Sequence, residues 1–411
     1  PFSMLSVEDN PERQLIRSRN WVKESYKQQP LPFPEKPKVR PKRLKIGYFS
    51  ADFHDHATLY LMSGLLKSHD TSKFEIFAYS YGRSKTGDLR QKLEGSIEHF
   101  YDLTDDSDSS IVELCRSHGL DIAIDLKGYT GSNRSAIFQY RLAPIQVNYL
   151  GYPGSMGAEF IDYIIADCTI IPENLRNYYS EKVIYLPHSY QPNDNTREIS
   201  DVRTTRADFG LPGHAFVFCC FNNSYKISER EFDIWMRILS QIDGSVLWLL
   251  KSNKWAEQNL RKEAKARGIS ASRLIFADKL PQKEHLARHQ HADLFIDTFN
   301  VNAHTTASDA LWAGIPVITK IGNQFAARVA ASLLHAVGLP DLITATEVEY
   351  EALIIDLATN PEKLKALREK LAKNRLKEPL FDTSQYTQHY EWALQEAYDV
   401  YYNAGPPQDI W

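Results

Sequence analysis

Long hydrophobic runs are missing from this chain. Nothing in its 411 residues approaches the roughly 18 uninterrupted apolar residues of a membrane-spanning helix. Cysteine is scarce: Cys115, Cys168, Cys219 and Cys220 are the full set. None has metal-ligand spacing, and the adjacent pair sits in the apolar run FVFCCFN. Buried, reduced thiols and a cytoplasmic compartment are expected. An excess of one charge is also absent. The 48 Lys and Arg against 52 Asp and Glu leave a net charge of −4 and a pI near 6.4, so global electrostatics suggest no nucleic-acid partner. Short-period repeats and low-complexity tracts are not seen.

What is present is a globular composition, 43% hydrophobic and 24% charged, with length for two or three domains. Residues 7–28 read as one amphipathic helix. The segment after it, QPLPFPEKPKVRPKRLK, is rich in proline and carries six Lys or Arg over 36–45. A solvated, extended linker is expected there, so residues 1–43 are set apart from the domains.

From residue 44 short apolar strands alternate with helices, which reads as parallel α/β. Strands are expected at 44–50, 74–80, 121–126, 145–151, 162–167 and 182–187, with helices at 58–69, 84–95 and 109–119. The chain turns polar and aperiodic over 191–206, read as a hinge. The alternation restarts over 207–380, with strands at 216–221, 245–250, 273–277, 293–299 and 315–320. Helices are expected at 228–242, 255–268 and 282–292. The fold expected is two Rossmann-like α/β lobes, 44–190 and 207–380, with an interlobe cleft. A last helix, 385–402 within 381–411, is expected to return to the first lobe. Such sheets bind ligands outside the carboxyl ends of their strands.

Several loops at those ends carry chemistry. In NVNAHTTASDALWAGIPVI, His304, Thr305 and Thr306 stand at a helix start, where free N–H groups and the helix dipole suit an anion. Ordinary capping, with Thr306 and Asp309 as a capping box, is the competing reading. FNNSYKIS places Asn222, Asn223 and Lys226 after the first strand of the second lobe; Lys226 suits a phosphate, or is an exposed loop lysine. In LPQKEHLARHQHAD, His285 and Arg288 share a helix face, which is also how a solvated surface helix looks. SADFHDHATLY puts His54 and His56 in a loop at the ligand end, suited to proton transfer or to a structural hydrogen bond. DLKGYTGSNR and the glycines of APIQVNYLGYPGSMG offer backbone N–H groups or plain turns. The acidic TDDSDSS reads as the start of a helix rather than as a metal site.

Taken together these segments resemble the catalytic region of the O-GlcNAc transferases and the related SPINDLY-type protein O-fucosyltransferases. APIQ-x(4)-GYPG and HTT-x(3)-D-x-LWAG-x-P are its most specific motifs, and the likeness runs from about residue 44 to 402. The resemblance implies the GT-B arrangement of two lobes. It implies an inverting, metal-independent transfer of a sugar from a nucleotide sugar to Ser/Thr hydroxyls of protein acceptors, with no cofactor. Carried over by motif, Lys226 would stabilise the leaving diphosphate and His304, Thr305 and Thr306 would contact its phosphates. Asp309 would hold the ribose, and His285 would border the uracil with Arg288 nearby. His56 would assist the acceptor. Asn223 would lie on the sugar-nucleotide side, while Tyr60, Asp125, Gly128, Tyr129 and Gly154 would line the cleft.

Tyr60 and Asn223 follow the SPINDLY pattern, and His304 and Asp309 the O-GlcNAc pattern. The donor expected is therefore UDP-GlcNAc. A GDP-fucose-dependent transferase, a nucleotide-sugar epimerase and a non-catalytic nucleotide-sugar-binding module are the alternatives. The helix at 7–28 is the one trace of the tetratricopeptide array that the family carries.

Overall fold

The computed structural model describes residues 1–83 and 87–411. It divides into two compact units. Unit 1 takes Pro1–Met4, Asn10–Asn195 and Asp382–Trp411; unit 2 takes Leu5–Asp9 and Thr196–Phe381. Each unit is a parallel sheet with helices, so the chain has the two Rossmann-like lobes read from its sequence.

In unit 1 the strands are β1 (Leu44–Ser50), β2 (Phe74–Ser80), β3 (His99–Asp102), β4 (Ile122–Asp125), β5 (Ile145–Asn148), β6 (Tyr163–Ala166) and β7 (Lys182–Tyr185). Its helices are α1 (Pro11–Ser25), α2 (Ala57–Ser68), α3 (Asp88–Glu94), α4 (Asp108–His118) and, from the end of the chain, α12 (Thr383–Tyr402). The sheet order is β3-β2-β1-β4-β5-β6-β7. Its central strands are buried on both faces, as their near-continuous apolar sequences demand. The start of the helix expected over 84–95 falls on residues 84–86, outside the described residues.

Unit 2 holds β8 (Val217–Cys220), β9 (Val246–Leu250), β10 (Leu274–Ala277), β11 (Leu294–Ile296), β12 (Val317–Lys320) and β13 (Ile343–Thr344). Its helices are α5 (Glu229–Gln241), α6 (Lys254–Ala266), α7 (Gln282–Arg288), α8 (Thr305–Trp312), α9 (Val329–Ala336), α10 (Glu347–Thr359) and α11 (Pro361–Asn374). The order is β10-β9-β8-β11-β12-β13. Both sheets therefore change direction between two neighbouring strands, β1 and β4 in unit 1, β8 and β11 in unit 2. The loops leaving those four strands hold SADFHDHATLY, DLKGYTGSNR, FNNSYKIS and NVNAHTTASD, at the switch point where such sheets take ligands, while LPQKEHLARHQHAD follows β10 and GYPGSMG follows β5.

Several expectations need correction. The proline-rich segment is extended but pinned to unit 1. Gln28 N donates to Gln139 Oε1 at 2.9 Å, Arg40 pairs with Asp399 at 2.7 Å, and the Arg141 guanidinium lies 4.5 Å from the Phe33 ring centre. The polar segment read as a hinge is divided between Asn195 and Thr196, and its later part is bound to unit 2. Cys168 is exposed, unlike the other three free cysteines, because it follows β6 in a surface turn. Helix α1 is shorter than 7–28, since Asn10 caps it by accepting from Arg13 N. The short strands β3 and β13 were not expected. The last helix, as expected, belongs to unit 1, where Glu391 Oε1 meets His69 Nδ1 at 2.9 Å.

Candidate active site

In unit 2, β8 is followed by the buried pair Phe221 and Asn222, and the chain then makes a tight turn over Ser224–Lys226. Asn222 is a hub. Its amide donates to Thr298 Oγ1 at 2.8 Å and Asp297 Oδ1 at 3.2 Å, and its Oδ1 accepts from Thr306 Oγ1 at 2.5 Å. The loops after β8 and β11 and the first turn of α8 are thus joined through one amide. Asp297, fully buried, also accepts from Thr298 N, Ala303 N and Thr319 Oγ1. Burial pushes its carboxyl up to about 6.

Lys226 is half-buried, and its Nζ donates to the Asn302 carbonyl at 2.8 Å. Loss of solvation pulls its pKa down to about 8, against the nearby charge of Asp297. The ammonium is therefore poorly compensated, which is the state in which an incoming anion gains most.

Helix α8 starts at Thr305, and His304, which precedes it, makes no side-chain cap. The capping-box reading of Thr306 and Asp309 is overturned: the Thr306 hydroxyl goes to Asn222 and Asp309 to other partners. The helix start keeps its positive end without a side-chain cap. His304 Nε2 lies 3.2 Å from the Ala326 carbonyl, a contact that requires the proton on Nε2. Burial and the Lys226 charge depress this imidazole to about 3, so it is neutral at physiological pH. Thr305 is half-buried beside it.

Asp309, 3% exposed, accepts at Oδ1 from Arg197 Nη1 at 2.6 Å and Gln282 Nε2 at 3.1 Å. Its Oδ2 faces His285 Nε2 at 3.8 Å. His285 receives Arg288 Nη2 on Nδ1 at 2.5 Å, which fixes the proton on Nε2. Its pKa is driven down by burial, then by His289 and Arg288. Arg288 is only 1% exposed, lies 4.6 Å from the Phe221 ring centre and donates to the Asp278 carbonyl. So enclosed a side chain spends its donors on His285 and the Asp278 carbonyl. Asn223 is exposed at the tip of the β8 loop.

Unit 1 assembles its own loops. His56 is the N-cap of α2: its Nδ1 accepts from Thr58 N at 3.2 Å, and Asp52 Oδ2 lies 3.6 Å away. Burial lowers its pKa. The structural reading of this histidine is therefore real, and it leaves the Nε2 proton as the ring's donor. Behind it Lys127 Nζ pairs with Asp52 at 2.6 Å, both buried. Tyr60 follows on α2, its N–H donating to the His56 carbonyl.

Other residues of the ligand-end loops have partners within unit 1. Asp125 accepts from Lys127 N, Gly128 N and Ser135 Oγ, forming the turn after β4. Gly128 has φ +51°. Tyr129 Oη donates to the Met156 carbonyl at 2.6 Å, and its ring meets Trp21 and Tyr26 of the N-terminal region, each 6.4 Å away. The Gly154 carbonyl accepts from Asn148 Nδ2. In TDDSDSS, Ser107 caps α4 by accepting from Ser110 N. Among the described residues the one acid–histidine triple with metal-holding spacing is Glu75, Glu98 and His99, away on the β2–β3 edge and already engaging Arg43 through Glu98.

The motif order, the switch-point loops and the α8 start agree with one family model. Glycosyl transferase family 41 matches residues 22–203 and 193–390. The chain belongs to this family. It is 37% identical over 373 residues to the probable UDP-N-acetylglucosamine–peptide N-acetylglucosaminyltransferase SEC of Arabidopsis thaliana, covering 89% of this chain and 38% of that protein. It is 30% identical over 479 residues to the UDP-N-acetylglucosamine–peptide N-acetylglucosaminyltransferase of Caenorhabditis elegans, with 89% and 42% covered. A solved mutant O-GlcNAc transferase of Thermobaculum terrenum is similar at TM-score 0.89 and 26% identity over 97% of this chain and 76% of that one. A sucrose-phosphate synthase of Thermosynechococcus elongatus shares the fold alone, at TM-score 0.57 and 12% identity. The chain spans about two-fifths of the length of these two enzymes of Arabidopsis and Caenorhabditis.

Proposed function

We propose that this chain is the catalytic region of an inverting, metal-independent glycosyltransferase that moves GlcNAc from UDP-GlcNAc to Ser and Thr hydroxyls of cytoplasmic proteins. One observation carries the reading. Lys226 and the uncapped start of α8 are locked to one another through Asn222, Thr306 and the Asn302 carbonyl.

A departing nucleoside diphosphate carries about two to three negative charges, and preorganised cations and N–H donors stabilise such charge most where water is excluded. Lys226 supplies the cation and α8 the N–H groups, with Thr305 and Thr306 at its first turn. His304, neutral in the free protein, contacts the phosphates through its Nδ1 side and takes up a proton as they arrive. The charge is thereby met by protein groups, which is the basis for proposing a transfer without metal. Asp309 accepts from the ribose hydroxyls, and His285, set by Arg288, borders the base. Asn223 contacts the sugar side. The acceptor hydroxyl attacks the anomeric carbon as the diphosphate leaves, a single displacement that inverts the centre. His56 orients that hydroxyl by donating a hydrogen bond from Nε2 to its oxygen rather than as a strong base, because positioning supplies most of what such a step requires, and the hydroxyl proton passes to the departing diphosphate or to water.

Thermal unfolding with UDP and with GDP tests the nucleotide. A nucleotide at a hundred times its Kd stabilises by about 2.7 kcal/mol, and UDP is expected to do so where GDP does not. The reverse result would assign a GDP-sugar donor. Conversion of UDP-GlcNAc without acceptor would assign an epimerase, and tight binding with no chemistry a binding module.

A further inference from the structure

The polar segment after Asn195 carries a residue that no motif contains. Arg197 and Asp309 form a buried ion pair at 2.6 Å, with side chains 5% and 4% exposed. The Arg197 carbonyl accepts from Trp312 Nε1 at 3.2 Å, and its guanidinium lies 5.9 Å from the Trp312 ring centre. Two further bonds hold the segment to unit 2. Ser200 N donates to the Lys283 carbonyl at 3.1 Å, and Thr204 Oγ1 meets His291 Nε2 at 2.8 Å. Arg197 is thus anchored on α8 by both its main chain and its side chain.

The two oxygens of Asp309 are treated differently. Oδ1 takes both Arg197 and Gln282, whereas Oδ2 faces His285 at 3.8 Å, beyond hydrogen-bond length. We propose that Arg197 is the positioning residue for ribose recognition: it keeps Asp309 ionised and turned so that Oδ2 accepts from the vicinal diol of the donor nucleotide. This rests on the assignment of Asp309 to the ribose in the proposed function.

A diol offers donors, so it needs a charged acceptor. Burial raises the pKa of Asp309, and Arg197 is the foremost group opposing that rise. Without its partner a buried carboxylate becomes an uncompensated charge, takes up a proton and presents a hydroxyl in place of an acceptor. A planar guanidinium also fixes carboxylate orientation as an ammonium does not.

The test is calorimetric binding of UDP and of 2′,3′-dideoxy-UDP to the wild type, Arg197→Gln, Arg197→Lys and Asp309→Asn, at neutral and mildly acidic pH. Arg197→Gln and Asp309→Asn are each expected to weaken UDP by about tenfold to a hundredfold, the worth of a hydrogen bond to a charged group. Neither should weaken the dideoxy nucleotide appreciably, and the double variant should lose no more than the worse single one. In Arg197→Gln the acid limb of UDP affinity should move to higher pH, with Arg197→Lys intermediate. With a ribose-dependent loss in Asp309→Asn, equal losses for both nucleotides or an unchanged UDP affinity in Arg197→Gln overturn the inference alone, whereas equal losses for both nucleotides in Asp309→Asn overturn the ribose reading. An unchanged affinity in Asp309→Asn overturns the ribose reading itself. Should Arg197→Gln fail to give a cooperative melt, the same ribose-dependent difference is read from Arg197→Lys, and its absence there is equally contrary.

Discussion

Thr306 donates its hydroxyl proton to Asn222 Oδ1 at 2.5 Å, and that bond ties the first turn of α8 to the loop after β8. The same amide reaches Asp297 and Thr298, so one side chain sets the spacing of the whole candidate phosphate cradle. Asn222→Ala leaves a buried carboxylate and a hydroxyl short of partners. A loss of about 1–3 kcal/mol is expected, read from the denaturant midpoint, together with weaker UDP binding. An unchanged midpoint would show that the network is not holding the loops.

How much of this was legible in the sequence depends on how local each feature is. Strands β1 and β2 match the expected 44–50 and 74–80 residue for residue, because buried parallel strands write themselves as apolar runs. Strand β3, HFYD, lies at the sheet edge, half-buried to exposed, and β13 has two residues; neither is long or apolar enough to stand out. Lys226, His304 and Thr306 were legible as candidates because they lie in the segments that follow β8 and β11. The roles of Asn222 and Arg197 were not, since each depends on a partner at least 75 positions away. The contacts of Arg288 with His285 and of Tyr129 with the Met156 carbonyl were likewise not written in their motifs.

Lys226 should impose an alkaline limit on turnover. Its folded pKa of about 8 lies below the ordinary 10.5. Between those values the folded chain holds fewer protons than the unfolded one, so the cost of burying the ammonium is full below about pH 8 and is relieved as pH rises towards 10.5. The charge that the diphosphate needs is lost over the same window. In the free enzyme kcat/KM for the donor should therefore fall above about pH 8, and Lys226→Arg should carry that limb upward. A limb that stays in place in Lys226→Arg would assign it to another group.

His56 combines a cap with a proposed role towards the acceptor, and two substitutions separate them. Asn caps as well as any residue, whereas Ala does not. His56→Ala should lose about 0.5–2 kcal/mol of stability and His56→Asn little, while both lose turnover. Full turnover in His56→Asn would leave the histidine as a cap alone.

The two glycines of DLKGYTGSNR are predicted to differ. A Cβ on Gly128, at φ +51°, would come within 2.5 Å of Tyr152 Cβ, whereas one on Gly131 meets nothing within 4 Å. Gly128→Ala combines a left-handed conformation, worth about 1–2 kcal/mol, with that clash, and should lower the melting temperature sharply. Gly131→Ala should leave it unchanged. Equal effects would contradict the turn geometry after β4.

The central claim is that this chain transfers GlcNAc from UDP-GlcNAc to protein hydroxyls with Lys226 stabilising the leaving diphosphate. Intact-mass analysis of candidate acceptor proteins, incubated with UDP-GlcNAc and either wild type or Lys226→Ala, tests it most directly. The account predicts an increment of one N-acetylhexosamine with the wild type, at a rate reduced on the order of 10²–10³-fold in Lys226→Ala. An undiminished rate in Lys226→Ala, or modification only with a different nucleotide sugar, would contradict it.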